Sequence, residues 1–300
     1  MILVTGGNGF QGIPLCEHLA SLGQEVLSVA RHPVQSPNYL SAKADVTKPE
    51  GMAEIFRQYP ITAVIHLVSL LASKSSNNPD QAVHVNVIGT LNMLELCKQM
   101  GVKRFVYGSS YNALGYYPPS GGAVDENVEP LPTAFYGETK RFIEKMGVRY
   151  AALHGMEFLS GRLSILIGPG EPTPTSAWRS NIYNLLDSGG EIEFTFAPDE
   201  ILPLADVRDT AASLALLALA PEGKPQHSIY NLPSESMRCD ELANLVCQTG
   251  RDLHIRFGKR KMGDIPPLVN CERLKQEFNY QPVPLAKRLQ EYREELRECL

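Results

Sequence analysis

The sequence predicts an α/β fold: a doubly wound parallel sheet with a smaller C-terminal α/β region. Three observations predict it. A hydrophobic run, Ile2 to Val4, breaks at once into glycines at Gly6, Gly9 and Gly12, and an apolar helical pattern follows. Short apolar runs then alternate with helical patterns through the first half, as in a parallel sheet covered on both faces. Past Gly168 the alternation becomes less regular.

The opening unit is a strand over 2–4, a glycine-rich turn and a helix over 11–22. Gly-x-x-Gly-x-x-Gly between strand and helix suits a phosphate, which needs close backbone N–H groups and the positive end of a helix. Ile13, Leu15, Cys16, Leu19, Ala20 and Leu22 form the apolar helix face. Pro14 lies in the first turn, where a missing N–H costs nothing. Gly23 closes the helix, and the next buried strand runs over 25–29. This is a complete β-α-β unit and reads as the start of a Rossmann dinucleotide-binding domain; a purely structural glycine turn is the alternative.

Further strands are expected at 40–43, 63–67, 103–107 and 158–164, and helices at 49–58, 80–100 and 134–154. Ligands of such sheets lie beyond the carboxyl ends of the strands. The Pro- and Gly-rich stretch from Gly168 to Pro174 is a break where the chain leaves one layer for another. After it come a helix near 177–188, strands near 192–196 and 201–204, a helix at 207–219, a strand near 228–231, a helix at 238–249 and an amphipathic helix over 284–298. The domain reading is a dinucleotide-binding domain over 1–165, rejoined by 200–231, with a substrate-binding region over 166–199 and 232–300.

Composition narrows the function. The chain of 300 residues is 43% hydrophobic and 20% charged, with a formal net charge of −5. That balance gives no reason to expect nucleic acid or an anionic membrane surface as partner. No apolar run is long enough to span a bilayer; Ala211 to Ala220 reads as a buried helix. A strand starting at position 2 leaves no room for a signal peptide, so a cytoplasmic protein is expected. Cysteines 16, 97, 239, 247, 271 and 299 are scattered, with no C-x-x-C, and read as reduced thiols. His18, His84, His154 and His254 have no partners at ligand spacing, so no metal is expected.

Tyr136-Gly-Glu-Thr-Lys140 carries the chemistry. The i, i+4 spacing puts both side chains on one helix face, ~5–6 Å apart. A free tyrosine has a pKa of about 10, and lowering it toward 7 needs ~3 units of phenolate stabilisation. A neighbouring ammonium in a partly dry site can supply that; an exposed helix pair is the alternative. Phe105 to Ser110 is a strand running into two hydroxyl residues that could hold a substrate oxygen, or simply a serine-rich turn. After the second strand come Ala30, Arg31 and His32, with no carboxylate between Glu25 and Asp45. A guanidinium suits a ribose 2′-phosphate, so NADP is favoured, with NAD as the alternative. Tyr116 to Gly122 reads as a loop over the site.

Together these elements give a resemblance. The chain resembles the extended short-chain dehydrogenase/reductases, the NAD(P)-dependent epimerase/dehydratase group. The matching stretches are Thr5 to Gly12, Asp45-Val46, His66 to Ser69, Asn86 to Thr90, Phe105 to Ser110, Tyr136 to Lys140, Arg162 to Gly170 and Asn279 to Pro282. The resemblance implies a catalytic trio of Ser110, Tyr136 and Lys140. It implies cofactor contacts from Gly6, Gly9, Phe10, Gln11, Gly12, Arg31, Asp45, Val46, Leu67, Val68 and Asn86, besides Tyr136 and Lys140. Substrate contacts would come from Ser69, Ser109, Ser110, Tyr111, Arg162, Trp178 and Arg179.

The implied activity is hydride transfer at a sugar or nucleotide-sugar hydroxyl or ketone, by an epimerase or a net reductase or dehydrogenase. A homodimer through the helices near 80–100 and 134–154 is implied as well. The departures refine this. Val68 and Ser69 stand where the family often has alanines. Tyr111-Asn112 stand where dehydratases carry Asp-Glu, which argues against water elimination. Glu200 to Ala205 lacks the arginine that contacts a nucleotide-sugar diphosphate, and Ser164 to Ile167 lacks the usual Asn. The rival function is a non-catalytic NAD(P)-binding sensor or scaffold.

Overall fold

The computed structural model describes residues 1–171 and 177–298. The end of the Pro- and Gly-rich break and Cys299 lie outside the described residues. In chain order the first half comprises β1 (Ile2–Thr5), α1 (Gly12–Ser21), β2 (Val26–Ala30), β3 (Leu40–Lys43), α2 (Pro49–Gln58), β4 (Ala63–His66), α3 (Ala72–Asn77) and α4 (Pro79–Ala82). A π-helical turn, Val83–Ile88, leads into α5 (Gly89–Gln99), followed by β5 (Arg104–Ser110), α6 (Phe135–His154) and β6 (Glu157–Leu163). The second half holds β7 (Ile165–Ile167), α7 (Ala177–Asn184), β8 (Gly190–Phe196), β9 (Ile201–Asp206), α8 (Val207–Leu219), β10 (Ile229–Asn231), β11 (Glu235–Arg238), α9 (Cys239–Thr249), β12 (Leu253–Arg260), α10 (Glu272–Phe278) and α11 (Leu285–Glu298).

A seven-stranded sheet in the order β10-β6-β5-β4-β1-β2-β3 forms the centre, and every pairing in it is parallel. Side chains alternate across it. Leu3, Leu27, Val29, Val64, Phe105 and Phe158 face α2, α5 and α6. Ile2, Val4, Val26, Ile65, Val106 and Leu159 face α1 and α8. With both faces covered, β1 and β4 are buried along their whole length, which is why they read as continuous apolar runs.

The smaller lobe has its own core, built from Trp178, Ile182, Phe194, Phe196, Leu202, Leu204, Leu242, Val246, Leu285 and Leu289. A three-stranded sheet β11-β9-β7 and a two-stranded sheet β12-β8 support it. Within 200–231, α8 and β10 lie on the central sheet, but β9 pairs with β7 and β11. Within 232–300, Leu274 of α10 joins the core of the central sheet. No helix among the described residues is long and apolar enough to cross a membrane, and none of their His, Cys, Asp and Glu side chains cluster to hold a metal ion.

Candidate active site

The site is built at the carboxyl ends of β1, β2, β4 and β5. β1 ends at Thr5, and Gly6 turns the chain with φ +74°, its amide donating to Val29 O at 2.8 Å. The amide of Gly9 donates to Gly6 O at 2.9 Å. Gly12 opens α1, and a Cβ there would sit 2.2 Å from Gly6 O. No side chain caps this helix and no acidic residue lies in its first turn, so neither a cap nor a first-turn carboxylate competes for an anion at its positive end. Asn8 ties the loop to the end of β2, donating to His32 O and accepting from Ser28 Oγ. Gln11 Nε2 donates to Val207 O at 3.2 Å. A glycine cradle at an open helix terminus fits the diphosphate of a dinucleotide.

Beyond it, Arg31 is exposed after β2. Asp45, after β3, accepts from Thr47 N at 2.9 Å and Thr47 Oγ1 at 2.8 Å. Partial burial works to raise its carboxyl, but the Thr47 bonds and the charge of Arg31 outweigh it and hold the group below the usual range. Val46 is buried under Gly89, where a Cβ would meet Val46 Cγ2 at 2.9 Å. Leu67 N donates to Thr5 O at 3.1 Å, and Val68 N lies 3.2 Å from where a Gly6 Cβ would project. The backbone after β4 therefore lies directly over the glycine turn.

Asn86 sits in the π-helical turn, a local form frequent at functional sites. Its Oδ1 accepts from Leu70 N at 2.6 Å and Ser69 Oγ at 3.1 Å. Its Nδ2 donates to Leu70 O at 3.1 Å and to Thr139 Oγ1 at 3.2 Å. One buried amide thus fixes the loop after β4 to the helix that carries Tyr136.

Tyr136 and Lys140 project from the first turns of α6, 7% and 2% exposed. Gly137 lets that helix pack on the turn after β5, because a Cβ there would lie 2.2 Å from Asn112 O. Lys140 Nζ donates to Gly108 O at 2.7 Å and stands 4.6 Å from the Tyr107 ring centre and 5.5 Å from that of Tyr136. Ser110 Oγ accepts from Asn112 N at 3.2 Å and donates to Asn112 Oδ1 at 3.1 Å.

Burial pushes the Tyr136 phenol up to about 12, against the pull of hydrogen bonding from Ser69 and Ser110. Burial also pushes Lys140 down to about 7, opposed by the charge of Glu144. The Lys140 amine bonds a backbone carbonyl and lies over the faces of the Tyr107 and Tyr136 rings.

His66 lies beneath, fully buried, with Nδ1 2.7 Å from Thr5 Oγ1 and Nε2 3.1 Å from Thr90 Oγ1. Burial pushes it down to about 3, helped by the charge of Lys140. The folded state holds this ring neutral while the unfolded chain protonates it near 6.5, so its contribution is complete above 6.5 and is lost as pH falls toward 3. Urea unfolding between pH 6.5 and 5 should show a loss of roughly 2 kcal/mol that is absent in His66→Asn. Parallel pH slopes for the two proteins would refute the assignment.

The comparisons with known proteins agree with this geometry. A profile described as the NAD dependent epimerase/dehydratase family matches residues 2–232. The chain belongs to this family. UDP-glucuronate 4-epimerase of Thermodesulfobacterium geofontis is 32% identical over 194 residues, 59% of this chain and 59% of that protein. UDP-glucose 4-epimerase of Corynebacterium glutamicum is 27% identical over 301 aligned positions, covering 94% of this chain and 90% of its own. Among solved structures, a monomeric L-threonine 3-dehydrogenase from a metagenome superposes with a TM-score of 0.88 at 25% identity, covering 100% and 99% of the two chains.

This epimerase/dehydratase family chain does not bring every expected residue to the site. Tyr111 is fully buried, its Oη donating to Leu232 O at 2.6 Å beside Ser234 and Cys271. Trp178 packs into the small-lobe core, 5.2 Å from the Phe194 ring centre. Arg162 is 1% exposed and paired with Glu144. All three were expected to touch substrate, and each is instead consumed by the interior. Ser109 is also buried, 3% exposed. Arg179 remains near the site, 6.0 Å from the ring centre of Phe10 on the glycine loop. The expectations missed Thr139, Asn112 and Glu144; only Glu144, one helical turn past Lys140, carried a readable spacing.

Proposed function

We propose that the chain is an NAD(P)-dependent oxidoreductase acting on a sugar or nucleotide-sugar hydroxyl or ketone, as an epimerase or a net reductase or dehydrogenase. The observation that carries this reading is the buried Tyr136 phenol beside Ser69 and Ser110 at the carboxyl ends of β4 and β5. A bound nicotinamide dinucleotide would supply the hydride acceptor or donor. Gly6, Gly9, Phe10, Gln11 and Gly12 would hold its diphosphate, Asp45 and Val46 its adenine end, and Leu67, Val68, Asn86 and Lys140 the far half. Tyr136 exchanges a proton with the substrate oxygen, and Ser69 and Ser110 orient that oxygen by hydrogen bonds. Lys140, with its amine 5.5 Å from the Tyr136 ring centre, would favour the phenolate by its charge whenever it holds a proton. Asn112, not a carboxylate, is the group hydrogen-bonded to Ser110, which supports a reaction without water elimination.

The test is a panel of UDP-sugars, free sugars and hydroxy amino acids, followed by reduced-nicotinamide absorbance and by product analysis for epimers. No conversion of any hydroxyl or ketone, with nicotinamide dinucleotide still bound, would favour a sensor or scaffold. A second reading, oxidation of a small hydroxy amino acid, is favoured by one observation. β9 runs Ile201-Leu-Pro-Leu-Ala-Asp206 with no arginine for a diphosphate. The panel separates the two.

At the ribose end, the exposed Arg31 and the lack of a carboxylate on β2 support use of NADP. Arg31→Asp should lower kcat/KM for NADP relative to NAD by about tenfold or more. An unchanged ratio would leave Arg31 no part in phosphate recognition. Leu91 on α5 and Phe142 and Leu153 on α6 are exposed apolar side chains, Leu153 to 79%, and support a homodimer through these helices. Sedimentation velocity reads this directly; a single monomer boundary at micromolar concentration rejects it.

A further inference from the structure

A set of charges lies behind Lys140 that the reaction as described does not use. Glu144 is one turn further along α6, with its Cβ about 5–6 Å from that of Lys140. It is 1% exposed, and three donors hold its carboxylate. Arg162 Nε donates to Oε1 at 3.0 Å, Arg162 Nη2 to Oε2 at 2.8 Å and Ser160 Oγ to Oε1 at 3.2 Å. Arg162 is equally buried, and its Nη1 has no partner among the described residues. Taking both charges out of water costs several kcal/mol per ion, so a well-packed apolar pair would serve stability as well. Stability alone therefore does not account for the pair.

We propose that Glu144 is a positioning residue for the proton chemistry of this site: clamped by Arg162 and Ser160, it fixes a negative charge one turn behind Lys140 and keeps that amine able to hold a proton. The inference rests on Lys140 belonging to the reacting site. The groups around Lys140 leave Glu144 as its counter-charge. Tyr107 on β5 offers a ring face at 4.6 Å and a phenol that burial holds protonated. His66 on β4 is held neutral by burial. Tyr136, on the same helix, keeps its proton. Arg162 on β6 carries the opposite sign and is bonded to the Glu144 carboxylate, and Glu126, paired with Arg273, lies within reach of its charge. Burial drives Lys140 down, and the charge of Glu144 is what opposes it.

The experiment titrates Lys140 in the full-length protein by NMR of ¹³C-labelled lysine, with Lys140→Met for assignment, beside the pH dependence of kcat/KM. In Glu144→Gln the Lys140 titration should move down by about 1–2 pH units, and the matching limb of kcat/KM with it. If the unpaired Arg162 prevents folding, Glu144→Gln/Arg162→Gln replaces the ion pair by two amides, and a fall of about half a unit or more is expected. Arg162→Lys keeps both charges and should lower the Tm while leaving the titration in place. A Lys140 titration unchanged in the double variant overturns the proposal, whatever happens to the Tm. Near wild-type turnover in Tyr136→Phe would instead remove the reading of the site and leave the NMR shift standing.

Discussion

Tyr136→Phe should lower turnover by at least ~10²-fold while leaving dinucleotide affinity within about threefold of wild type. The change removes one oxygen and keeps the ring, so the packing of α6 on the turn after β5 persists. The glycine loop and the Asn86 brace do not touch the phenol oxygen. What is lost is the group that exchanges a proton with the substrate. Because burial pushes the phenol up to about 12, it is a proton donor over the whole neutral range. Ketone reduction should therefore gain no limb from the phenol between pH 6.5 and 8.5, where the limb set by Lys140 remains. Hydroxyl oxidation, which must lose a proton, should rise with pH over that range. Stopped-flow and steady-state measurements in both directions check this. A Phe variant that turns over like wild type would take Tyr136 out of the reaction.

Arg162→Met should destabilise the fold by about 3–5 kcal/mol, because it takes the bidentate partner from the buried Glu144 carboxylate and leaves only Lys140, one helical turn away, as an opposite charge. Ser160 Oγ, at 3.2 Å, is then its remaining hydrogen-bond donor, and a neutral hydroxyl offsets little of the desolvation cost. Surface pairs behave differently. Arg57→Ala at the exposed Arg57–Glu54 pair, with side chains 59% and 53% exposed, should cost less than 1 kcal/mol. Denaturant unfolding of the two variants, measured side by side, gives the contrast. Equal small losses would mean that Glu144 is protonated or reached by water.

The central sheet was legible because burial on both faces leaves an unbroken apolar run, as in Ala63–His66 and Ile2–Thr5. The bounds of α2 and α8 were legible too. Pro49 stands at the start of α2, and Asp206 caps α8 by accepting from Arg208 N at 2.7 Å. Of the small-lobe strands, β8 and β9 were legible but β7, β11 and β12 were not. Glu235–Arg238 and Leu253–Arg260 keep much of their length exposed, so polar residues interrupt the pattern that marks a strand. Helix 80–100 is two helices joined by the π-helical turn, where the 3.6-residue period slips.

At the site, motif spacing located Tyr136, Lys140 and Ser110 but not the direction of their neighbours. Tyr111 follows Ser110 immediately, and the turn that begins there sends its ring into the small-lobe core. Arg162 lies opposite Ser109 in the sheet register, yet its partner is a helix residue that no local pattern names. Trp178, an implied substrate contact, packs instead against Phe194 and Phe196, a neighbourhood that sequence spacing does not reveal.

The chain crosses between the central sheet and the small lobe repeatedly. After β6 it enters the small lobe at β7, returns at α8 and β10, leaves again at β11, comes back at α10 and ends in the small lobe with α11. The two lobes are stitched by several strands of polypeptide, so no single protease nick can free one from the other. Motion of one lobe against the other is accordingly limited to bending shared among all the stitches, and thermal unfolding should proceed as one event for both lobes.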